Sequence, residues 1–370
     1  MKSPALPANH PKQPKTAKTG VLLVNLGTPE APTAAALRPY LREFLGDKRV
    51  VELPRWLWLP LLYGVIVPLR APKSAHAYAQ IWDKTHNASP LKVITEAQTA
   101  KLQKRLGKNV VVRYAMRYGQ PSIPSQLDAL MAAGCDEIVL APLYPQYAGP
   151  TVGTVVDVVA DWLKARRWQP AIRTLAPYYD HPAYIKALAE SVRADFKKAK
   201  AKPQVLVASF HGMPLKACQA GDVYYCHCHK TARLLAEELG VPFCKSVEEV
   251  KEAALRPAPN VDTRLRGHDA LRACGLPPVL LAFQSRFGRD EWLQPYFSEV
   301  IEALPAAGIT QAAVISPAFA ADCVETLEEL AIGGKESFVG AGGKGYGVTP
   351  CLNDSDGGME MLEALVREIL

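Results

Sequence analysis

The chain is predicted to be an α/β protein built on parallel sheets and folded in two parts. Short β-rich runs alternate with helix-like segments along almost its whole length. The β-rich runs are continuously apolar rather than alternating, the pattern of strands covered on both faces. The run Lys197-Lys-Ala-Lys-Ala-Lys-Pro203 carries no large apolar group, as a surface connection between packed units does, and 370 residues suit two units of ordinary size.

In chain order, strands are expected at Gly20–Leu26, Asn109–Tyr114, Glu137–Leu143 and Ala171–Leu175, then at Gln204–Phe210, Pro278–Phe283 and Gln311–Ile315. Helices are expected at Ile94–Arg105, Ile123–Ala133, Ala183–Lys197, Lys230–Glu238 and Asp290–Leu304. The boundary falls near Lys198–Pro203. The organisation that follows is a tail at 1–19, a first domain at 20–200, a second at 203–355 with a cysteine-rich insertion at about 218–277, and a final helix at 356–370.

Composition excludes several classes. A net charge of +7 without a basic stripe gives nucleic-acid binding no support. Met1–Thr19 is rich in Pro and Lys, cannot bury enough surface to order itself, and lacks the apolar centre of a secretory signal. Eight cysteines without such a signal do not read as a disulfide framework, so a cytoplasmic setting is expected. One apolar run, Trp56-Leu-Trp-Leu-Pro-Leu-Leu-Tyr-Gly-Val-Ile-Val-Pro-Leu69, is too short to span a bilayer, and Pro60, Gly64 and Pro68 are expected to break it as a helix. It reads as a buried segment or as an apolar lip for a greasy ligand or a membrane surface.

In open α/β sheets, ligands bind beyond the carboxyl ends of the strands. There the chain places Asn25-Leu-Gly-Thr-Pro-Glu30, without the spaced glycines of a dinucleotide loop. Arg113-Tyr114-Ala-Met-Arg117-Tyr118 offers a carboxylate holder beside an aromatic face, and Leu143-Tyr-Pro-Gln-Tyr147 a rigid aromatic loop. The fifth strand delivers His211-Gly-Met-Pro214, whose imidazole can accept a proton or bind a metal near neutral pH. Gln284-Ser-Arg-Phe-Gly288 and Trp292 follow the next strand. After the last come Phe319, Asp322, Glu325 and Glu329. If helical, Asp322, Glu325 and Glu329 stand at i, i+3 and i+7 on one face, as a solvated acidic row or as hard oxygen ligands for a passing divalent cation.

Together these pieces resemble the protoporphyrin ferrochelatase family. So do Thr85-His-Asn-Ala-Ser-Pro-Leu91, Gln284-Ser-Arg-Phe-Gly-Arg289, Glu325-Thr-Leu-Glu-Glu329, Gly340-Ala-Gly-Gly-Lys344 and Pro350-Cys-Leu-Asn353. The resemblance covers nearly all of the chain after Gly20. It implies two Rossmann-like, doubly wound domains with a porphyrin cleft between them, the final helix packing back on the first, and insertion of Fe2+ into protoporphyrin IX. It also implies His211 and Glu325 facing each other across the ring, with His211 as proton acceptor or metal holder. Glu325, Glu329 and Asp322 would form an acidic line for the iron or for departing protons. Arg113, Tyr114, Tyr147, Phe319 and Trp292 would serve the porphyrin, and Trp56–Leu69 the lip, with peripheral membrane contact as its consequence.

Cys218, Cys226, Cys228 and Cys244 cluster after the His211 loop. Local density and the resemblance, to a subgroup with a cluster in an internal segment, imply a [2Fe–2S] site. Cys274 is an alternative fourth ligand, and zinc with His227 and His229, or free thiols, are the other readings. Other expectations to be weighed are a chelatase for coproporphyrin or another metal, and a porphyrin or haem carrier without catalysis.

Overall fold

A computed structural model describes residues 18–199, 201–255, 276–288 and 290–370. The first sheet contains β1 (Lys18–Gly27), β2 (Val110–Tyr118), β3 (Cys135–Pro142) and β4 (Ala171–Thr174), in the order β2-β1-β3-β4 and parallel throughout. The second contains β5 (Val205–His211), β6 (Phe243–Cys244), β7 (Val279–Gln284), β8 (Gln311–Ile315) and β9 (Gly345–Val348), in the order β6-β7-β5-β8-β9, again all parallel. In both sheets the chain starts near the middle and builds strands on either side of the first, the doubly wound pattern. The buried runs Val21–Val24 and Val205–Ala208 show why the strand signal was continuous rather than alternating.

The helices of the first half are α1 (Ala34–Leu45), α2 (Arg55–Leu61), α3 (Val67–Ile81), α4 (Pro90–Leu106), α5 (Ile123–Ala132), α6 (Thr154–Lys164) and α7 (Pro182–Lys198). Those of the second are α8 (Leu215–Gln219), α9 (Tyr224–Leu239), α10 (Val247–Leu255), α11 (Phe297–Ala306), α12 (Gly334–Gly340) and α13 (Asp356–Arg367). The closing helix α13 buries Met359, Met361, Leu362, Leu365 and Val366 against α4 and α7 of the first half. The same apolar cluster runs on into β5, β7 and α9, so one core joins the halves.

Three local expectations are corrected. The lip is continuously helical: α2 passes into a π-helical stretch, Leu62–Ile66, and then into α3. Pro68 stands where the π-helical stretch passes into α3, and that widened stretch follows Pro60, so the misfit of both prolines falls in and around it. The helix expected from Asp290 begins only at Phe297, because Pro295 lacks the donor a helix needs and the preceding residues bridge back to Pro214 and Phe283. Strand β2 runs to Tyr118, four residues beyond its expected end, which moves the strand's carboxyl end from Arg113-Tyr114 to Arg117-Tyr118.

Candidate active site

His211 is the last residue of β5, in register with Gln284 of β7. Its Nδ1 lies 2.7 Å from the Gly212 carbonyl oxygen, so the proton sits on Nδ1 and the Nε2 lone pair is left free. Gly212 is required by packing. A Cβ there would lie 2.6 Å from the Gln284 carbonyl oxygen and 2.9 Å from Cε3 of the Trp292 indole. Buried Trp292 therefore braces the turn that carries His211. Gly212→Ala is expected to cost about 1–3 kcal/mol of stability and to displace His211, lowering turnover more than tenfold. A denaturation midpoint and kcat measured together check this.

Past β8 the chain enters a nine-residue π-helix, Glu325–Gly333. Extended π-helix is rare and concentrates at functional sites. Glu325 opens it and Glu329 lies one turn on. Both Glu329 oxygens accept from Ser285, from its backbone N–H at 2.7 Å and its hydroxyl at 2.5 Å. Ser285 holds φ = 64°, a left-handed conformation costing about 1–3 kcal/mol in a residue of this type. Burial pushes the Glu329 carboxyl above its usual range, with the Glu325 charge adding to the rise. The two Ser285 bonds and nearby His211 offset only part of it. Glu328, one residue before, is also raised, first by burial and then by Glu336, with His76 of α3 opposing.

Asp322 does not join Glu325 and Glu329 on a helix face, because it precedes the helix and is buried. Its carboxylate accepts from Thr326 Oγ1 at 2.9 Å, Asn353 Nδ2 at 2.6 Å and the Cys351 N–H at 3.3 Å. A carboxylate so occupied fixes the approach to the π-helix. Phe319 lies just before it, half-buried with Leu91, Ile94, Ala321 and Cys323.

Opposite Glu325 the first half contributes buried hydroxyls: Thr28 after β1, Tyr40 of α1, Tyr78 of α3 and Tyr144 after β3. Burial first, then neighbouring phenols and the Glu325 charge, push the Tyr40 and Tyr144 hydroxyls well above their ordinary range. Tyr78 is raised by burial and then by Glu325. The Thr28 and Tyr144 hydroxyls are buried without a hydrogen-bond partner. Sequence reasoning missed Tyr40 and Tyr78. They stand on helices, and only tertiary packing brings them to the strand ends.

The arginine-tyrosine pair at the end of β2 is Arg117-Tyr118. The Arg117 guanidinium lies over the Tyr118 ring at 4.3 Å and bonds Asp47 at 2.5 Å and Thr154 Oγ1 at 2.7 Å. Asp47 is lowered from the ordinary carboxylate range. Burial opposes this, but hydrogen bonds from Thr154, the Arg49 N–H and Tyr118, with the Arg117 charge, outweigh it. Arg113 instead lies toward Cys135 at the start of β3 with a buried, unpartnered Nε, and the Tyr114 hydroxyl donates to Glu96 of α4 at 2.6 Å. The structure does not bring those two to the other candidates. A polar cavity of about 450 Å³, lined by Arg42, Asp47, Arg117 and Asp157 among others, opens beside the lip and contains neither His211 nor Glu325.

This arrangement can be set beside known proteins. A family model described as Ferrochelatase matches residues 18–370. The chain belongs to the ferrochelatase family. It is 46% identical to the ferrochelatase of Agrobacterium fabrum over 368 residues, covering 99% of this chain and 97% of that one. It is also 46% identical to that of an Azoarcus species over 354 residues, covering 95% and 88%. Among solved structures, SirB from Bacillus subtilis with Fe3+ superposes at a TM-score of 0.50 over 95% of each chain, at 12% identity, a likeness of fold.

The four cysteines do not form the expected ligand set in this ferrochelatase family member. Cys226 and Cys228 are two residues apart on α9 and so point roughly 200° apart; Cys226 is exposed and Cys228 buried. Burial raises the thiols of Cys218 and Cys228, and that of Cys244 to about 11. Among the described residues no three His, Cys, Asp or Glu side chains stand together as a metal site. Cys274 lies outside the described residues. His227 and His229 are engaged otherwise: His227 accepts from the Tyr147 N–H, and His229 packs beside Tyr225 and Phe283.

Proposed function

We propose that the chain inserts Fe2+ into protoporphyrin IX with His211 and Glu325 on opposite faces of the ring, the two inner N–H protons leaving as iron enters. The observation that carries the assignment is the His211 imidazole, oriented through Nδ1 with Nε2 free, beside a buried carboxyl, Glu329, whose affinity for protons is raised. His211 Nε2 takes a pyrrole proton and Glu329 relieves it of that proton. Glu325 meets the iron from the other face. Its carboxylate replaces water on a hard cation, and the buried tyrosines behind it leave little competing solvent. Arg117, at the strand end, takes the part expected of Arg113, while Trp292 acts through Gly212. Tyr147 and Phe319 keep an expected part in holding the macrocycle, while Tyr114, bonded to Glu96, gives up the part expected of it. The test is an anaerobic assay of purified protein with protoporphyrin IX and Fe2+. Haem bands replacing the free-base spectrum support the reading; tight porphyrin binding without insertion would favour the carrier.

The exposed face of the lip supports peripheral membrane contact. Trp56 is 79% and Leu69 65% exposed, and Leu57, Leu61, Tyr63 and Val65 are exposed between them, while Leu62, Val67, Ala71 and Tyr78 face α1. Arg55 and Arg70 flank the apolar face, as in interfacial helices. No helix among the described residues is long and apolar enough to cross a membrane. A Trp56→Ser, Leu69→Ser double variant is expected to bind anionic phospholipid vesicles at least about tenfold more weakly and to retain insertion of detergent-dispersed porphyrin. Equal sedimentation of both proteins with vesicles would refute this.

A [2Fe–2S] cluster on Cys218, Cys226, Cys228 and Cys244 or Cys274 rests on the local density of thiols and on the resemblance to a subgroup of the family. It requires the first turn of α9, held by the bond from the Tyr224 N–H to Asp222, to unwind so that Cys226 and Cys228 turn the same way. Visible absorption and iron analysis of anaerobically purified protein decide it, and no step above passes through it.

A further inference from the structure

The turn that follows β3 in the first domain is held by the second domain. Its backbone runs from Leu143 through Tyr147 into a short π-helical stretch, Gly149–Gly153. Two of its N–H groups cross to the other domain. That of Gly149 donates to Asp222 Oδ2 at 2.7 Å, and that of Tyr147 to His227 Nδ1 at 3.2 Å.

Both acceptors are themselves fixed. Asp222 uses its other oxygen to accept the N–H of Tyr224, the first residue of α9, at 2.9 Å. One carboxylate thus caps a helix of its own domain and anchors a turn of the other. The His227 ring stacks on Tyr179 of the first domain, centroids 3.6 Å apart and planes 10° from parallel. One helical turn further, Thr231 donates to the Tyr179 carbonyl at 2.7 Å and accepts from Gln146 Nε2 at 3.1 Å. A single face of α9 therefore grips the first domain on both sides of the turn.

The turn matters because of what stands at its ends. Tyr144, at its start, is one of the buried hydroxyls near Glu325. Thr154, just past its end, bonds both Arg117 and Asp47. Nothing in the sequence links Asp222 or His227 to those residues; α9 does so in space.

We infer that Asp222 and His227 are positioning residues for metal insertion, fixing the Tyr144–Thr154 turn so that the macrocycle meets a wall of set shape. The inference rests on the ferrochelatase reading above. Neither residue touches the reacting atoms, so their loss acts on porphyrin recognition rather than on the chemical step.

Four variants separate the bond from the packing. His227→Phe keeps the stack on Tyr179 and removes the acceptor; His227→Asn keeps an oxygen near the Nδ1 position and removes the stack. Asp222→Ala removes both acceptors, and Asp222→Asn keeps one. The expected result is a porphyrin KM raised about tenfold in His227→Phe and Asp222→Ala, with kcat within about threefold of the parent. His227→Asn should recover most of the KM. The Tyr147 and Gly149 amides should exchange with deuterium at least tenfold faster in the two damaging variants, with β5 amides unchanged. If Asp222→Ala fails to fold for want of the α9 cap, Asp222→Asn and His227→Phe carry the test. An unchanged KM in His227→Phe, a loss confined to kcat, or unchanged exchange of the turn amides overturns the inference. Should the parent protein bind porphyrin without inserting iron, the ferrochelatase reading fails instead. The exchange data and a porphyrin Kd from fluorescence quenching then still decide whether the turn is held in this way.

Discussion

His211→Ala is expected to lower the rate of iron insertion by about 10²–10⁴-fold, the range a positioned proton acceptor supplies, while porphyrin affinity changes only a few-fold. The reasoning starts from the hydrogen bond of Nδ1 to the Gly212 carbonyl. That bond fixes the tautomer, so Nε2 is the only basic atom this side chain can offer the ring. Alanine removes it and leaves the Gln284, Ser285 and Glu329 network intact, because none of those bonds passes through the imidazole. Water would enter the vacated space, but as a weaker base with no fixed orientation. Single-turnover absorbance with saturating Fe2+ measures the step directly, and fluorescence quenching measures binding. Unimpaired insertion would remove His211 from the mechanism. Affinity lost in parallel with rate would make it a binding residue.

Much of this frame was legible in the sequence because it depends on local chemistry. Buried parallel strands are apolar throughout, so β1, β5, β7 and β8 stood out within one or two residues of their bounds. His211 was legible because a histidine ending an apolar strand has few structural uses. What failed did so where tertiary contacts override the local signal. Arg113 and Tyr114 marked a plausible strand end, yet pairing with β1 carries β2 on to Tyr118, opposite Gly27. Three helix breakers in the lip were overruled by packing of Leu62, Val67 and Ala71 on α1, with a π-helical stretch absorbing the misfit. The acidic row assumed an ordinary helix from Asp322. Instead, Asn353 and Thr326 hold that carboxylate and the helix starts at Glu325 in wider form. Cysteines two apart look like a chelate in one dimension, but a helix turns them away from each other. Tyr40, Tyr78 and Asp222 carried no signal at all, since each acts through a partner far away in sequence.

Glu325→Gln is expected to reduce kcat by at least about 10²-fold, as loss of a charged group at the reacting centre does, and to preserve the fold, because glutamine has nearly the same shape. The variant separates charge from packing at the one carboxylate that heads the π-helix against Tyr40, Tyr78 and Tyr144. An amide oxygen can still approach iron but cannot neutralise it, so stripping water from Fe2+ becomes the slow step. A second effect follows from the same charge. Glu329 is raised mainly by burial and further by the negative charge of Glu325. Removing that charge lets Glu329 ionise more readily, so its titration moves down toward the ordinary carboxylate range. If Glu329 must be ionised to take the proton from His211, the acid limb of residual kcat against pH moves to lower pH in Glu325→Gln and disappears in Glu329→Gln. Glu325→Asp, which keeps the charge on a shorter arm, should leave that limb where the parent has it while still slowing turnover. An acid limb unmoved in Glu325→Gln would mean that Glu325 and Glu329 do not act on one proton path, and Glu329 would then be left with holding Ser285 as its only role.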